Sequence, residues 1–257
     1  TNGVADVFVH DGQTGATERG SVGPGGVESN GDSGRCDING TGRHVAFDSV
    51  ATNLVPGDTN GNRDVFVHDR ATHGTIRASV STAGAEGDGA SEYPSLDRGG
   101  GLVAFQSTST NLVAGDTNGV CDVFLRDSTG PSTTRVSVAR WGAQGDGASD
   151  LPAISGDGRY VAFASLATNF LKGHNGIPQL CRKDRADGRL ARVTVGANGQ
   201  CGRPSISADG SWVAFATIAS NVGLGDDNGL WDVYLRDLQS RYVLRLSEPD
   251  RSTEGNG

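Results

Sequence analysis

The sequence predicts an all-β protein built from one four-stranded unit used repeatedly, and three observations carry that prediction. First, a phrase recurs, in full as Asp116-Thr117-Asn118-Gly119-Val120-Cys121-Asp122-Val123-Phe124-Leu125-Arg126-Asp127, with copies ending Asp6–Asp11, Asp64–Asp69 and Asp232–Asp237 and a degenerate one ending Gln179–Asp184. Successive copies lie 58, 58, 57 and 53 residues apart, counted from Asp6, Asp64, Asp122, Gln179 and Asp232. Second, Val45-Ala46-Phe47, Val103-Ala104-Phe105, Val161-Ala162-Phe163 and Val213-Ala214-Phe215 keep step with it, each preceded at nine residues by Cys36, Pro94, Pro152 or Pro204. Third, short apolar runs alternate with Gly-, Asp- and Asn-rich turns, and no segment holds a helical period. A fixed long period means one supersecondary unit stacked on its copies. Four antiparallel strands that cannot bury their faces alone are the blade of a β-propeller.

The elements follow in order. Val7 to Val22 supplies only the third and fourth strands of a blade. Four complete blades are then expected at about 37–80, 95–138, 153–195 and 205–247. In the second, the strands are placed at 94–96, 102–107, 122–125 and 134–138, with Asp97-Arg98-Gly99-Gly100 and Asp127-Ser128-Thr129-Gly130-Pro131 as turns and Asn111-Leu112-Val113 tucked inward from a long loop. Ser252 to Gly257 resembles the loop before another first strand. The expectation is a single domain, 1–257, and a five-bladed ring. Its missing inner strands would come from an upstream segment or from a partner chain that completes the partial blade, or the array is open.

Composition removes several classes of function. With 40 Gly, no Met and 6% aromatics the chain suits short strands and tight turns. It has no run of eighteen apolar residues to span a membrane. Its net charge of −8 argues against nucleic acid, whose phosphates need a basic surface. Thr1 in a chain without Met predicts a removed leader or a fragment. That points to an extracellular, secreted protein, where Cys36, Cys121, Cys181 and Cys201 would form disulfides, Cys181–Cys201 first. The alternative for the cysteines is buried thiols acting as small apolar groups.

Two motifs invite chemistry. The Asp-x-Asn-Gly-x-x-Asp loops set Asp58, Asn60 and Asp64, then Asp116, Asn118 and Asp122, then Asp226, Asn228 and Asp232, at a spacing compatible with calcium. They lack the length and closing Glu of an EF-hand, and the same residues form Asx-turns without any ion. Gly173 and Gln179 replace both carboxylates in the degenerate copy. The basic-Asp pairs His10-Asp11, His68-Asp69, Arg126-Asp127, Lys183-Asp184 and Arg236-Asp237 resemble catalytic dyads. A group needed once does not recur in every unit, so these are assigned to turn capping and ion pairing, and no residue is assigned to catalysis.

Pro152-Ala153-Ile154-Ser155-Gly156-Asp157-Gly158-Arg159-Tyr160-Val161-Ala162-Phe163 and 204–217, followed by Asp232-Val233-Tyr234-Leu235-Arg236-Asp237, resemble the repeats of TolB-like β-propellers, cousins of the WD repeat. The resemblance covers nearly the whole chain. It implies the fold, and a range of roles as protein-binding platform, sugar binder or enzyme gate. Function is then sought where one copy departs from its siblings: Lys172 and His174 in the degenerate loop, Trp141 before it, and Trp231. Aromatics beside basic groups suit a lectin-like or protein-binding surface. The expectation is a secreted, non-catalytic propeller recognising a protein or carbohydrate partner. The alternative is an extracellular hydrolase or lyase acting on polysaccharide through carboxylates at the central channel.

Overall fold

The Val-Ala-Phe runs are apolar on both faces, so they suit strands covered on both sides. In the computed structural model of the chain all but one of the residues of these runs are buried, Ala214 being half-buried. Residues 2–247 are described, apart from 224, 225, 227 and 228. The partial unit is a two-stranded antiparallel ribbon, β1 (Phe8–His10) and β2 (Thr17–Arg19). A single 3-10 turn, Pro24–Gly26, follows, the one helical element among the described residues.

Four four-stranded antiparallel sheets come next, each paired in chain order. The first blade is β3 (Ser33–Ile38), β4 (His44–Ser49), β5 (Asp64–Asp69) and β6 (Gly74–Arg77). The second is β7 (Ser91–Leu96), β8 (Leu102–Ser107), β9 (Asp122–Asp127) and β10 (Ser132–Arg135). The third is β11 (Ser149–Ile154), β12 (Tyr160–Ser165), β13 (Gln179–Asp184) and β14 (Leu190–Arg192). The fourth is β15 (Ser205–Ile206), β16 (Trp212–Thr217), β17 (Asp232–Asp237) and β18 (Val243–Arg245).

The expected partial blade and four complete blades are therefore present. Ser252 to Gly257 lies outside the described residues. The chain divides into two compact units, 1–135 and 136–257. In the first unit one core joins Val45, Phe47, Leu54 and Phe66, and another joins Ala46, Val65, Val103, Phe105 and Phe124. In the second, Leu180, Val193, Val213, Phe215 and Tyr234 form the core. Leu112 tucks inward as expected and is buried.

Two expectations are corrected here. The fourth strand of the second blade is 132–135, not 134–138, because the chain bulges as it leaves the sheet; in the first blade both Ala78 and Ser79 donate to the Val65 carbonyl. No disulfide joins the four cysteines. Side chains alternate along β13, so Cys181 faces away from Leu180, on whose side Cys201 packs. Burial pushes the Cys181 thiol up to about 12. Cys201 occupies a rung that is serine elsewhere: Ser33–Ser49, Ser91–Ser107 and Ser149–Ser165 are each 2.9 Å apart between hydroxyls, and Cys201 Sγ lies 3.6 Å from the Thr217 hydroxyl.

Candidate functional site

The Asp-x-Asn-Gly-x-x-Asp loops end at a guanidinium. Arg77 Nη1 lies 3.2 Å from both Asp58 and Asp64, while Asn60 turns its NH2 group onto Asp64 (2.9 Å) and the Gly87 carbonyl (3.0 Å). The Asn60 side-chain oxygen accepts from the Asn62 N–H at 2.8 Å, an Asx-turn. In the second blade Arg135 lies 2.9 Å from Asp116 and 3.3 Å from Asp122, and Asn118 donates to Asp122. In the fourth, Arg245 approaches Asp232 at 3.7 Å and the Tyr234 hydroxyl donates to Asp226 at 2.6 Å; Asn228 lies outside the described residues. Calcium requires six to eight oxygens converging on one point. In the first and second blades both carboxylates already face a cation and the amide presents its donor, so those residues as arranged fit an arginine and not calcium. Among the described residues no group of three or more His, Cys, Asp or Glu is placed to hold a metal.

The degenerate loop resolves differently from its sequence alignment. Gly57, Gly115 and Gly173 all have positive φ (74°, 73°, 79°), and each gives its carbonyl to the blade's arginine, Arg77, Arg135 or Arg192. Gly173 therefore matches these glycines, and His174 stands in place of Asp58 and Asp116. Arg192, lacking a carboxylate there, donates to the carbonyls of Leu171 (3.1 Å) and Lys172 (2.9 Å). His174 accepts from the Gly176 N–H and sits 3.4 Å from the Ser165 carbonyl, holding the loop to its blade.

The four sequence-predicted ligand residues are not one site. Lys172 and His174 precede β13, whereas Trp141 stands beside the turn that follows it, where Gly188 packs on the Arg140 carbonyl. A six-residue strand places these ends roughly 20 Å apart. Trp141 is 86% exposed, with the Arg140 guanidinium over its ring. Trp231, 51% exposed, lies over Gly202 at the start of β17.

A different departure from the repeat does converge. The position after Val-Ala-Phe is Gln106, Ala164 and Ala216 in the later blades, but Asp48 in the first, where it is wholly buried. Asp48 accepts from Arg63 at 2.8 Å and from the Tyr93 N–H at 3.3 Å, with Arg35 3.6 Å away. Burial pushes its carboxyl above the usual range, and Arg63 pulls it back. Glu92 pairs with Arg35 at 2.6 Å and lies 3.7 Å from Arg63. The Arg35 guanidinium stacks over the Tyr93 ring at 4.3 Å. Arg35, Asp48, Arg63 and Glu92 line a cleft of about 330 Å³ with Asp32, Ser33 and Gly34.

The backbone holds them under strain. First strands β3, β7 and β11 carry a bulge at one register position, placing Arg35 (φ 34°), Tyr93 (φ 54°) and Leu151 (φ 52°) in left-handed conformation. Such conformations cost of order 1–3 kcal/mol in non-glycine residues and re-aim the side chain. Sequence reasoning missed this cluster; the signal was one acidic residue following an apolar triplet whose siblings are uncharged or amide.

Comparison with solved structures decides the fold. TolB from Acinetobacter baumannii superimposes over 94% of this chain with a TM-score of 0.58 at 17% identity, and putative TolB from Agrobacterium tumefaciens over 90% with 0.57 at 18%. The fold is the TolB-like β-propeller. An oligogalacturonate lyase solved in complex with manganese shares the propeller over 94% of the chain, with a TM-score of 0.58 at 11% identity. The chain spans about half the length of the Acinetobacter TolB (48%), 69% of the Agrobacterium protein and 58% of the lyase. Neither a family model nor a curated protein matches the sequence.

The basic-Asp pairs of the propeller are turn caps, as their recurrence requires. Asp11 accepts from the N–H groups of Gln13 and Thr14, Asp127 from Thr129 and Gly130, and Asp237 from Gln239 and Ser240. Asp69 and Asp184 add a forked pair with Arg43 and Arg159.

Proposed function

We propose that the chain is a secreted, non-catalytic binding propeller that recognises a protein or glycan partner through the Arg35–Asp48–Arg63–Glu92 cleft. The observation that carries this reading is the buried Asp48, a charged residue at a position the later blades fill with amide or alanine. It fixes Arg63, so that Arg63, Arg35 and Glu92 are presented preorganised beside the Tyr93 ring. Arginine and tyrosine are the residue types that anchor interfaces. The carboxylates favour binding over acid–base work: Asp48 already accepts two hydrogen bonds, and Glu92 is paired to Arg35.

The test is affinity capture from the native secretome together with a glycan array, using wild type, Arg35→Ala and Arg63→Ala. A ligand retained by wild type and lost by both variants supports the cleft. Loss confined to the Lys172/His174 double variant or to Trp231→Ala would move the site to the loops. Release of reducing sugar from polysaccharide by the purified chain would replace the binding role with an enzymatic one.

A further inference from the structure

The 53-residue step between Gln179 and Asp232 has a structural location. From the end of a fourth strand to the next serine rung, 13 residues separate Ala78 from Ser91 and Val136 from Ser149, but 8 separate Val193 from Cys201. The five missing residues correspond to a turn seen at 81–85 and 139–143, each closed by backbone hydrogen bonds from Ser81 to Ala85 and from Ala139 to Ala143.

That turn has a task in the earlier blades. The basic residue near the end of the third strand buries against it: Arg126 donates to the Ser81 carbonyl at 3.2 Å, and Lys183 donates to the carbonyls of Val138 (2.8 Å) and Ala139 (3.3 Å). Arg236 is the same residue of the fourth blade, and the turn that would receive it is deleted. Its Nε is buried without a hydrogen-bond partner. In place of the turn is a cleft of about 510 Å³, lined by Arg192, Arg236 and Arg241 with Ala191, Val195 and Leu238. The Arg192 Nε is likewise buried and unsatisfied. Burial and the like charge of Arg241 hold Arg236 below the usual arginine value, and no carboxylate among the described residues offsets them. Buried guanidinium donors without acceptors are costly unless something supplies the acceptors.

We propose that this cleft is an oxyanion-binding site, in which Arg236 and Arg241 hold a carboxylate or phosphate group of a ligand, with Arg192, whose Nη groups are held by loop carbonyls, adding its charge and its unsatisfied Nε. The planar forks of arginine match both groups, and Val195 and Leu238 give the ligand's carbon skeleton an apolar wall. The site is independent of the cleft around Asp48 and stands or falls separately.

The test uses the whole chain with inorganic phosphate and citrate as probes, followed by calorimetry and by thermal unfolding at matched ionic strength. Wild type is expected to bind at least one probe saturably at one site and to melt higher in its presence, since a ligand of the native state stabilises it. Arg236→Gln should weaken that affinity about tenfold or more. Its unliganded melting temperature should be unchanged or raised, because a half-buried charge with an unsatisfied Nε has been removed. Inserting Ser81-Thr82-Ala83-Gly84-Ala85 between Val195 and Gly196, which restores the 13-residue step, should abolish binding while keeping the fold. Phosphate without citrate, or the reverse, assigns the ligand group. No saturable binding of either, an equal response in Arg236→Gln, or reproduction of the effect by sodium chloride would overturn the proposal.

Discussion

The joint between the first two complete blades and the joint between the last two solve the same packing problem with opposite electrostatics. At the first, Asp48 is buried against Arg63 and Arg35, and Glu92 closes the set. At the last, Arg236 is half-buried with Arg241 nearby and with no acid beside it among the described residues. Both sit on the same β-scaffold, so neither charge pattern is a demand of the fold. The first joint gains an extra carboxylate and the last loses a five-residue turn. Single departures from a repeat thus mark where a regular scaffold has been put to use.

The sharpest way to break this comparison is to remove a charge that the fold does require. Arg135→Ala should leave Asp116 and Asp122, the latter wholly buried, without their cation and cost about 3–5 kcal/mol in urea unfolding. A loss below about 1 kcal/mol would mean that these nodes are not structural. Metal analysis after exhaustive EDTA treatment bears on the same nodes: the arginine-filled geometry predicts no stoichiometric calcium and an unchanged melting temperature. Stoichiometric calcium lost on Asp116→Ala would restore the ion-binding alternative.

Asp48→Asn should cost less, about 1–3 kcal/mol, because the amide keeps the volume and one acceptor while the charge-assisted bond from Arg63 is lost. A smaller effect is expected at the turn caps. Asp127→Ala removes acceptors for Thr129 and Gly130 and should cost about 1 kcal/mol, whatever the ligand.

The smallest effect is a pH dependence. Asp209, at the hairpin between β15 and β16, accepts from Ser207 and Ser211 and is held down to about 2 from its usual 3.8. A depressed carboxyl stabilises the fold above the unfolded value and loses that contribution as pH falls through the folded one. Acid unfolding should therefore carry a component between about pH 4 and pH 2 that Asp209→Asn removes. An identical acid profile in the variant would show that the cap is dispensable.

How much was legible in the sequence follows from the kind of signal involved. The strands were readable because Val-Ala-Phe and Asp-Val-Phe-Leu recur in register, and repetition averages out local ambiguity. The fourth strand of the second blade was misplaced because its alternation, Thr134 to Val138, continues past the residues that pair, 132–135. The reading of the Asp-x-Asn-Gly-x-x-Asp loops, as calcium sites or Asx-turns, left out Arg77 and Arg135, which recur at the same 58-residue step as the carboxylates they pair with. Asp48 and Arg63 were overlooked because they are fifteen residues apart and meet only when β4 and β5 pair. Trp141 and His174 looked like one surface because both are unusual; strand β13 separates them.

Hydrogen exchange on the chain with and without its captured partner tests the central claim most directly. Binding through the Asp48-centred cleft predicts new protection at 33–37 and 91–95, the bulged strands that carry Arg35, Glu92 and Tyr93, with 139–142 and 170–176 unchanged. Protection confined to 139–142 or 170–176 would contradict it and return recognition to Trp141 or to the Lys172–His174 loop.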